Sequence, residues 1–368
     1  MRITYIIESL SNSGGMERVV TQKANWLADN AHQDVSIVTF AQHSDIDDFF
    51  QLSDNVKRIK INLENFKKKT LCLYLTAWLK DNPQDICIST YGREFSLLPT
   101  LKDGSRKIVE FHFAYDINKH WLANSCGKLR TSIVGAFKTW LMTRTAQKYD
   151  KIVCLTKADY KKWRKHTDKV VKINNPITIS SDKTSDCTSK EIVAIGRMVK
   201  QKGFDLLIDC WKLLEEHYPD WQLKIYGGGD PTIYNNQISN LGLKHIKILG
   251  QTDNVPAALC ESSIYVLSSR YEGFPLTICE AMTCGLPIVS FDCPSGPAEL
   301  ISHGLNGFLV KNVGDTDTMA HHISSLIENE NMRKRYGSES LRMSKEYYIE
   351  KILAQWVSLF ERLSESKA

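Results

Sequence analysis

With 368 residues, 42% of them hydrophobic and 24% charged, and a net charge of +5, the chain has a globular composition and about the length of two domains. That excludes a disordered, collagen-like or coiled-coil chain and leaves enough residues to bury full cores without disulfides or metals. No apolar run approaches the roughly 18 residues that span a bilayer, the opening MRITYIIES is too short for a signal-peptide core, and the ten cysteines form no CxxC pair, so a cytoplasmic protein with reduced, mostly buried thiols is expected.

The first half alternates short apolar runs with helical periodicity. Strands are predicted at Arg2–Glu8, Asp34–Phe40, Lys57–Ile61, Asp85–Thr90, Lys107–His112, Lys151–Leu155 and Val170–Ile173. Helices are predicted at Met16–Asn30, Lys67–Asn82, Cys126–Lys148 and Lys157–His166. Asn174-Asn175-Pro176 breaks this pattern, and the polar run Ser180–Lys190 reads as a linker. The alternation then restarts, with strands at Glu191–Ile195, Gln222–Tyr226, Ile246–Leu249, Ile264–Leu267, Ile288–Ser290 and Gly307–Val310. Helices fall between them at Phe204–His217, Thr232–Leu241, Val255–Glu261, Leu276–Cys284 and Pro297–Ser302, and more helices run to the C-terminus. Buried strands separated by helices imply βαβ units and parallel sheets. The expected fold is therefore α/β: two doubly wound, Rossmann-like domains, residues 1–177 and 178–345, about a cleft that takes ligands at the C-terminal strand edges.

Charge is distributed unevenly. Residues 119–172 hold fourteen basic and three acidic residues, which predicts an anionic partner, a membrane surface or nucleic acid. No zinc-finger spacing, RNP-type aromatic strand or DNA-reading helix is present, so nucleic acid is set aside. The same stretch interleaves Trp121, Trp140 and Trp163 with its cations, and Leu129, Ile133, Phe137, Trp140 and Leu141 share one face of the long helix, with Arg144 on that face and Arg130 at its edge. Lys161-Lys162-Trp163-Arg164-Lys165 adds a second basic and aromatic patch. Docking on anionic lipid is expected, against the plainer alternative of a core-packing helix with solvated lysines.

A parallel strand that runs into a Gly-rich turn and a helix is an anion site, because backbone N–H groups and the helix dipole converge there. Ser13-Gly14-Gly15-Met16-Glu17-Arg18 has this form, and so does Gly227-Gly228-Gly229, where Thr232 replaces the third glycine of a dinucleotide fingerprint. A tight turn explains either cluster taken alone. In Gly196-Arg197-Met198-Val199-Lys200-Gln201-Lys202-Gly203, Arg197 and Lys202 flank a short loop. A guanidinium fork and a mobile ammonium can together neutralise a diphosphate. In Ser268–Pro294, Glu272 stands on a loop before Gly273-Phe274-Pro275, and Glu280 about a turn and a half inside the next helix, with Pro275 placed in its first turn. The N–H groups of Gly273–Thr277 can cradle phosphate or sugar oxygens, Glu272 can meet sugar hydroxyls or developing positive charge, and Glu280 can take a ribose diol.

These segments together resemble the retaining GT-B glycosyltransferases of family 4. Glu272 to Glu280 has the spacing of that family's E-x7-E signature, and EGFPLTICEAMTCGLPIVSFD, GRMVKQKG, GGMERV and SGPAEL all fit its pattern. The resemblance runs over essentially the whole chain and implies little about the substrate. It implies that Arg197 and Lys202 bind the nucleotide diphosphate, Glu280 the ribose, and that Glu272 lies near the transferred sugar. It further implies that Gly14 and Gly15 let the first loop approach the phosphates, that Gly227 serves the donor, and that Gly273, Phe274, Pro275, Leu276 and Thr277 touch sugar and phosphate. His112 matches a histidine near the donor sugar; read alone, it is a satisfied strand-end residue. A C-terminal helix, 346–368, would pack back on the first domain.

The family implies retention of configuration through an oxocarbenium-like state, domain closure, and proton uptake by the leaving phosphate. The expected donor is a nucleotide sugar, UDP-linked or otherwise GDP-linked, which is a substrate; no cofactor and no metal are expected. The acceptor would be a glycan or a polyprenyl-diphosphate-linked sugar, handled in the cytoplasm or on the inner membrane face. Asp45-Ile46-Asp47 and Asp315-Thr316-Asp317 are DxD strings, read as an acidic loop and a helix N-cap rather than metal ligands. The competing readings are a nucleotide-sugar epimerase of the same architecture and a catalytically silent sugar-nucleotide binding module; a dehydrogenase ranks last.

Overall fold

The computed structural model describes residues 1–42, 45–61, 67–119 and 128–365. In chain order its elements are β1 (Arg2–Ile7), α1 (Gly15–Asp29), β2 (Asp34–Thr39), β3 (Val56–Lys60), α2 (Lys68–Asp81), β4 (Ile86–Ser89), β5 (Arg106–Phe111), α3 (Lys128–Ala146), β6 (Lys151–Cys154), α4 (Lys157–Trp163) and β7 (Val170–Lys172). There follow β8 (Glu191–Ile195), α5 (Phe204–Lys212), β9 (Gln222–Tyr226), α6 (Thr232–Leu241), β10 (Ile246–Gly250), α7 (Val255–Cys260), β11 (Ile264–Leu267) and α8 (Leu276–Thr283). The chain ends with β12 (Ile288–Phe291), α9 (Pro297–Leu300), β13 (Gly307–Val310), α10 (Thr316–Glu328), α11 (Glu330–Ser344) and α12 (Ile349–Glu365). Every strand expected from the apolar runs is present. The helix ends moved most where no cap fixes them: α5 stops at Lys212, short of the expected His217.

The chain divides into two compact units, Met1–Thr178 with Ile349–Ala368, and Ile179–Tyr348. The first holds a seven-stranded sheet in the order β3-β2-β1-β4-β5-β6-β7, and the second a six-stranded sheet in the order β10-β9-β8-β11-β12-β13. Among the described residues the strands pair in parallel, with β1 beside both β2 and β4 and β8 beside both β9 and β11. In each unit the strand order reverses at its first strand, which is where a doubly wound sheet leaves room for a ligand.

Central strands of such sheets are covered on both faces and so are apolar throughout. In β1, five of the six residues are buried, and in β11 all four are. The helices turn one stripe inward: Val20, Ala24 and Leu27 of α1 pack in the same core as Ile352, Trp356 and Phe360 of α12. α12 thus completes the first unit's core although it is last in the chain. Side-chain caps start several helices, with Thr156 accepting from Asp159 N at 3.1 Å, Asn254 from Ala257 N at 3.0 Å and Asn329 from Met332 N at 2.8 Å.

Candidate active site

In the second unit, β8 runs into Gly196. The Gly196 N–H donates to Tyr226 O and the Met198 N–H to Gly228 O at 2.8 Å, so the loops after β8 and β9 lie side by side. A Cβ on Gly227, whose φ is +155°, would stand 1.7 Å from Gly196 O. Close backbone packing therefore explains this glycine without reference to a ligand. Gly203, with φ +66°, precedes α5, and a Cβ there would meet Ser268 O at 2.1 Å.

That second approach joins the two motif loops. Ser268 Oγ donates to Lys202 O at 2.8 Å, Arg270 N to Gln201 O at 2.8 Å, and Gln201 Nε2 to Tyr271 O at 3.0 Å. Arg270 grips Asp205 with both terminal nitrogens, at 2.7 and 2.6 Å, a bidentate pair that fixes direction as well as distance. The result is to bring Lys202 against Glu272: Lys202 Nζ donates to Glu272 Oε1 at 2.7 Å, and Ser269 Oγ donates to the same oxygen at 2.6 Å. Both contacts fall on Oε1. The Glu272 N–H donates to Pro294 O at 3.1 Å, which ties the loop to the chain after β12.

Arg197 is exposed and makes no ion pair among the described residues. It lies within electrostatic reach of Tyr271, whose phenol is pushed up by burial and by Glu272 and held back by Arg197. Glu280 is buried on α8. Glu272 and Glu280 share a neighbour in Tyr265, a fully buried phenol driven upward first by burial and then by both carboxylates. The hydroxyls of Tyr265 and Thr277 are both buried, and Thr277 holds back part of the rise of the phenol. Pro275 is the N-cap of α8 rather than part of its first turn; its own carbonyl accepts from Ile278 N at 2.9 Å, so the helix begins at Leu276. The first N–H groups of a helix have no partner inside it, which leaves those of Leu276 and Thr277 beside Gly273. Phe274 is buried against Tyr347, ring centres 5.9 Å apart.

Gly14, Gly15 and His112 belong to the first unit. Gly14 is the N-cap of α1, and its carbonyl accepts from Arg18 N at 3.1 Å. A cavity of about 510 Å³ opens beside it, lined by Ser9, Asn12, Glu17, Thr90, Arg93 and Phe113 among others. His112 directly follows β5 and is buried beside Glu110. Of the two ring nitrogens, Nε2 faces the Glu110 carboxylate at 3.7 Å, whereas Nδ1 faces no partner among the described residues.

Asp315 caps α10, accepting from Thr318 N at 3.0 Å, while Asp45 and Asp47 lie exposed in the loop after β2. Among the described residues no group of three or more candidate ligands is placed to hold a metal ion. In α3, Ile133, Phe137, Trp140 and Leu141 are all at least half exposed, at 66%, 61%, 52% and 51%, so this face does not pack in the core. Trp163 corrects the second patch: it is buried against Phe111 and Tyr115. Around it, Lys162 is paired with Asp116 and Arg164 with Asp168. Trp121, the expected first turn from Cys126, and the side chains of Leu129 and Arg130 lie outside the described residues.

The model of the family described as glycosyl transferases group 1 matches residues 177–343. An uncharacterized glycosyltransferase of Haemophilus influenzae is 30% identical over 369 residues, covering 96% of this chain and 98% of that protein. The chain belongs to the group 1 glycosyl transferases. A poly(ribitol-phosphate) alpha-N-acetylglucosaminyltransferase of Staphylococcus aureus is 27% identical over 310 residues, 82% of this chain and 61% of that one. Among solved structures, S. aureus TarM, crystallised with fondaparinux, alpha-GlcNAc-glycerol and UDP, superposes with a TM-score of 0.78 at 18% identity, covering 98% of this chain and 99% of that one. The fold of this glycosyltransferase is GT-B, built from two Rossmann-like units.

Three features of the glycosyltransferase were not singled out from sequence. The Arg270–Asp205 clamp carried no signal, because a loop Arg and a helix-start Asp are common. In the first unit Lys23 and Glu110 form a buried ion pair, with Nζ at 2.8 and 2.7 Å from the two carboxylate oxygens. Burial alone would raise the Glu110 carboxyl, but Lys23 and then His112 hold it down to about 2. Lys23 is itself lowered by burial, against the pull of Glu110. A charged residue on the inward stripe of α1 was the available clue. Third, Glu94 is fully enclosed beneath the Tyr91–Gly92 turn, and burial raises its carboxyl to about 7, against hydrogen bonds from Ser89 Oγ and Gly92 N.

Proposed function

We propose that this glycosyltransferase is a retaining family 4 enzyme that moves a hexose or N-acetylhexosamine from a UDP sugar to a glycan or polyprenyl-diphosphate-linked acceptor. The observation that carries the reading is the convergence of Lys202 and Glu272, 2.7 Å apart, from two hydrogen-bonded loops. Arg197 is exposed on the first loop, with no ion pair among the described residues, and the start of α8 follows the second.

An ammonium has three donors, and Glu272 occupies one. The other two are available to diphosphate oxygens, which Arg197 and the N–H groups of Leu276 and Thr277 also meet. The charge that develops as the sugar–phosphate bond breaks is thereby spread over two cations and a helix N-terminus, the preorganised donors that stabilise a leaving anion. No metal is required for that charge. Glu272 Oε2 takes a sugar hydroxyl, Glu280 the ribose diol, and His112 the donor sugar. Gly14 and Gly15 let the turn before α1 approach the phosphates. The cavity lined by Ser9, Asn12, Thr90 and Arg93 offers the hydroxyl-rich lining that an acceptor saccharide needs. UDP in the TarM complex and the polyol-phosphate glycan in the name of the S. aureus relative support this class of donor and acceptor.

The enzyme works at an anionic membrane surface on its inner face. The exposed Ile133, Phe137, Trp140 and Leu141 supply apolar contact, and Lys138, Arg144 and Lys148 are exposed on the same helix or just beyond it. Each such cation adds about 1 kcal/mol near anionic lipid. Among the described residues no helix is long and apolar enough to cross a membrane.

The test is a donor panel of UDP-glucose, UDP-galactose, UDP-N-acetylglucosamine and GDP-mannose with simple saccharide acceptors, followed by proton NMR of the product. An α-linked product from an α-linked UDP donor is expected. A β-linked product overturns retention, and interconversion of the nucleotide sugar without transfer favours the epimerase.

A further inference from the structure

Lys23 points inward from the middle of α1, Glu110 from β5, and His112 follows the same strand two residues later. Side chains two apart along a strand share a face, so the carboxylate and the imidazole are neighbours. Their closest approach, Glu110 Oε1 to His112 Nε2, is 3.7 Å. Lys23 holds both oxygens of that carboxylate, and its ammonium lies 3.7 Å from the ring centre of Trp356 on α12. Trp356 therefore closes the far side of the pair.

An ion pair this deep is a weak source of stability, since two apolar residues of similar volume would do as well. Its constraint falls instead on the imidazole. A carboxylate only accepts hydrogen bonds, so the ring nitrogen that faces it is favoured with its proton on. In the neutral ring the other nitrogen, Nδ1, carries the lone pair, and it is buried without a partner among the described residues. Buried polar atoms in native proteins are seldom left unpaired; a ligand hydroxyl would complete this one.

We propose that Glu110, fixed by Lys23, is the positioning residue for His112: it holds the Nε2–H tautomer and so presents Nδ1 as an acceptor for a hydroxyl of the transferred sugar. This rests on the reading of His112 as the residue that meets the donor sugar.

The wild-type enzyme carries the first test. In protein with 15N-labelled histidine, the ring shifts of His112 should report the Nε2–H tautomer; an Nδ1–H tautomer or a ring protonated on both nitrogens would overturn the proposal, and no variant need fold for this result. The second test is a double-mutant cycle on kcat/KM, with the nucleotide sugar turned over fastest in the donor panel above. Glu110→Gln should lose about tenfold in the His112 enzyme and less than about twofold in His112→Ala, with the dissociation constant of UDP unchanged. Equal losses in both backgrounds would make Glu110 merely structural. Full activity in His112→Ala would sink the reading of His112 itself, whereas an Nδ1–H tautomer in an enzyme that needs His112 sinks only the positioning role.

Discussion

Lys202 Nζ and Glu272 Oε1 lie 2.7 Å apart although 70 residues separate them in the chain, and both side chains are largely buried, at 15% and 8% exposure. Removing one partner strands the other. Lys202→Met should cost roughly 2–3 kcal/mol, below the 3–5 of a fully enclosed pair because Ser269 still donates to Glu272. Lys202→Met with Glu272→Met should restore most of the lost stability while the enzyme stays inactive. Denaturant melts of the three proteins check this.

The contact of the two motif loops depends on absent side chains. Gly203→Ala places a Cβ 2.1 Å from Ser268 O, and Gly227→Ala places one 1.7 Å from Gly196 O. Each should cost on the order of 2 kcal/mol and reduce UDP binding, because the loops must part. Gly314→Ala, also at positive φ but with open space around it, should cost about 1 kcal/mol and leave UDP binding alone. Thermal melts with and without UDP separate the two effects.

Lys23→Met leaves Glu110 enclosed without its counter-charge, so burial drives its carboxyl up, and the variant should destabilise the first unit by about 3–5 kcal/mol. Adding Glu110→Met should recover most of that. A double variant no more stable than the single one would mean that the pair is needed for packing as well as charge.

Glu94 gives a pH dependence with a defined sign. Its carboxyl is raised to about 7 in the folded protein, against about 4.3 in an unfolded chain. Between these values the folded state binds the extra proton, so stability falls as pH rises from near 4.5 to near 7 and the contribution is flat above that. The loss is about 4 kcal/mol at most. Glu94→Gln cannot ionise and keeps an acceptor for Ser89 Oγ and Gly92 N. It should match the wild-type melting temperature at pH 5 and exceed it at pH 8; equal differences at both would contradict the assignment.

Phe137→Glu with Trp140→Glu puts two carboxylates on the exposed face of α3. The variant should keep its melting temperature, since both side chains are more than half exposed, and should no longer sediment with phosphatidylglycerol vesicles at low salt. Wild-type protein that never sediments would set the membrane reading aside.

The strand pattern was legible because a covered parallel strand must be apolar at nearly every position, and a single apolar run states that without tertiary context. The site was legible in part. Arg197, Lys202, Glu272 and Glu280 have residue types and spacings that imply charge chemistry, but nothing local says that Lys202 turns onto Glu272; the contact is made by Ser268, Arg270 and Gln201, which read as ordinary loop residues. Trp163 misled because a tryptophan among lysines resembles a surface patch, whereas it packs inward against Phe111 and Tyr115. Lys23 and Glu110 were hidden because each takes its meaning only from the other, one on a helix and one on a strand far apart in the chain.

The most direct measurement is the dissociation constant of UDP by isothermal titration for the wild-type enzyme and for Arg197→Ala with Lys202→Met. Two charge-assisted contacts to a diphosphate are worth about 3 kcal/mol together, so affinity should fall by roughly a hundredfold or more while the double variant remains folded. A folded double variant that binds UDP as tightly as the wild type would show that the diphosphate is held elsewhere.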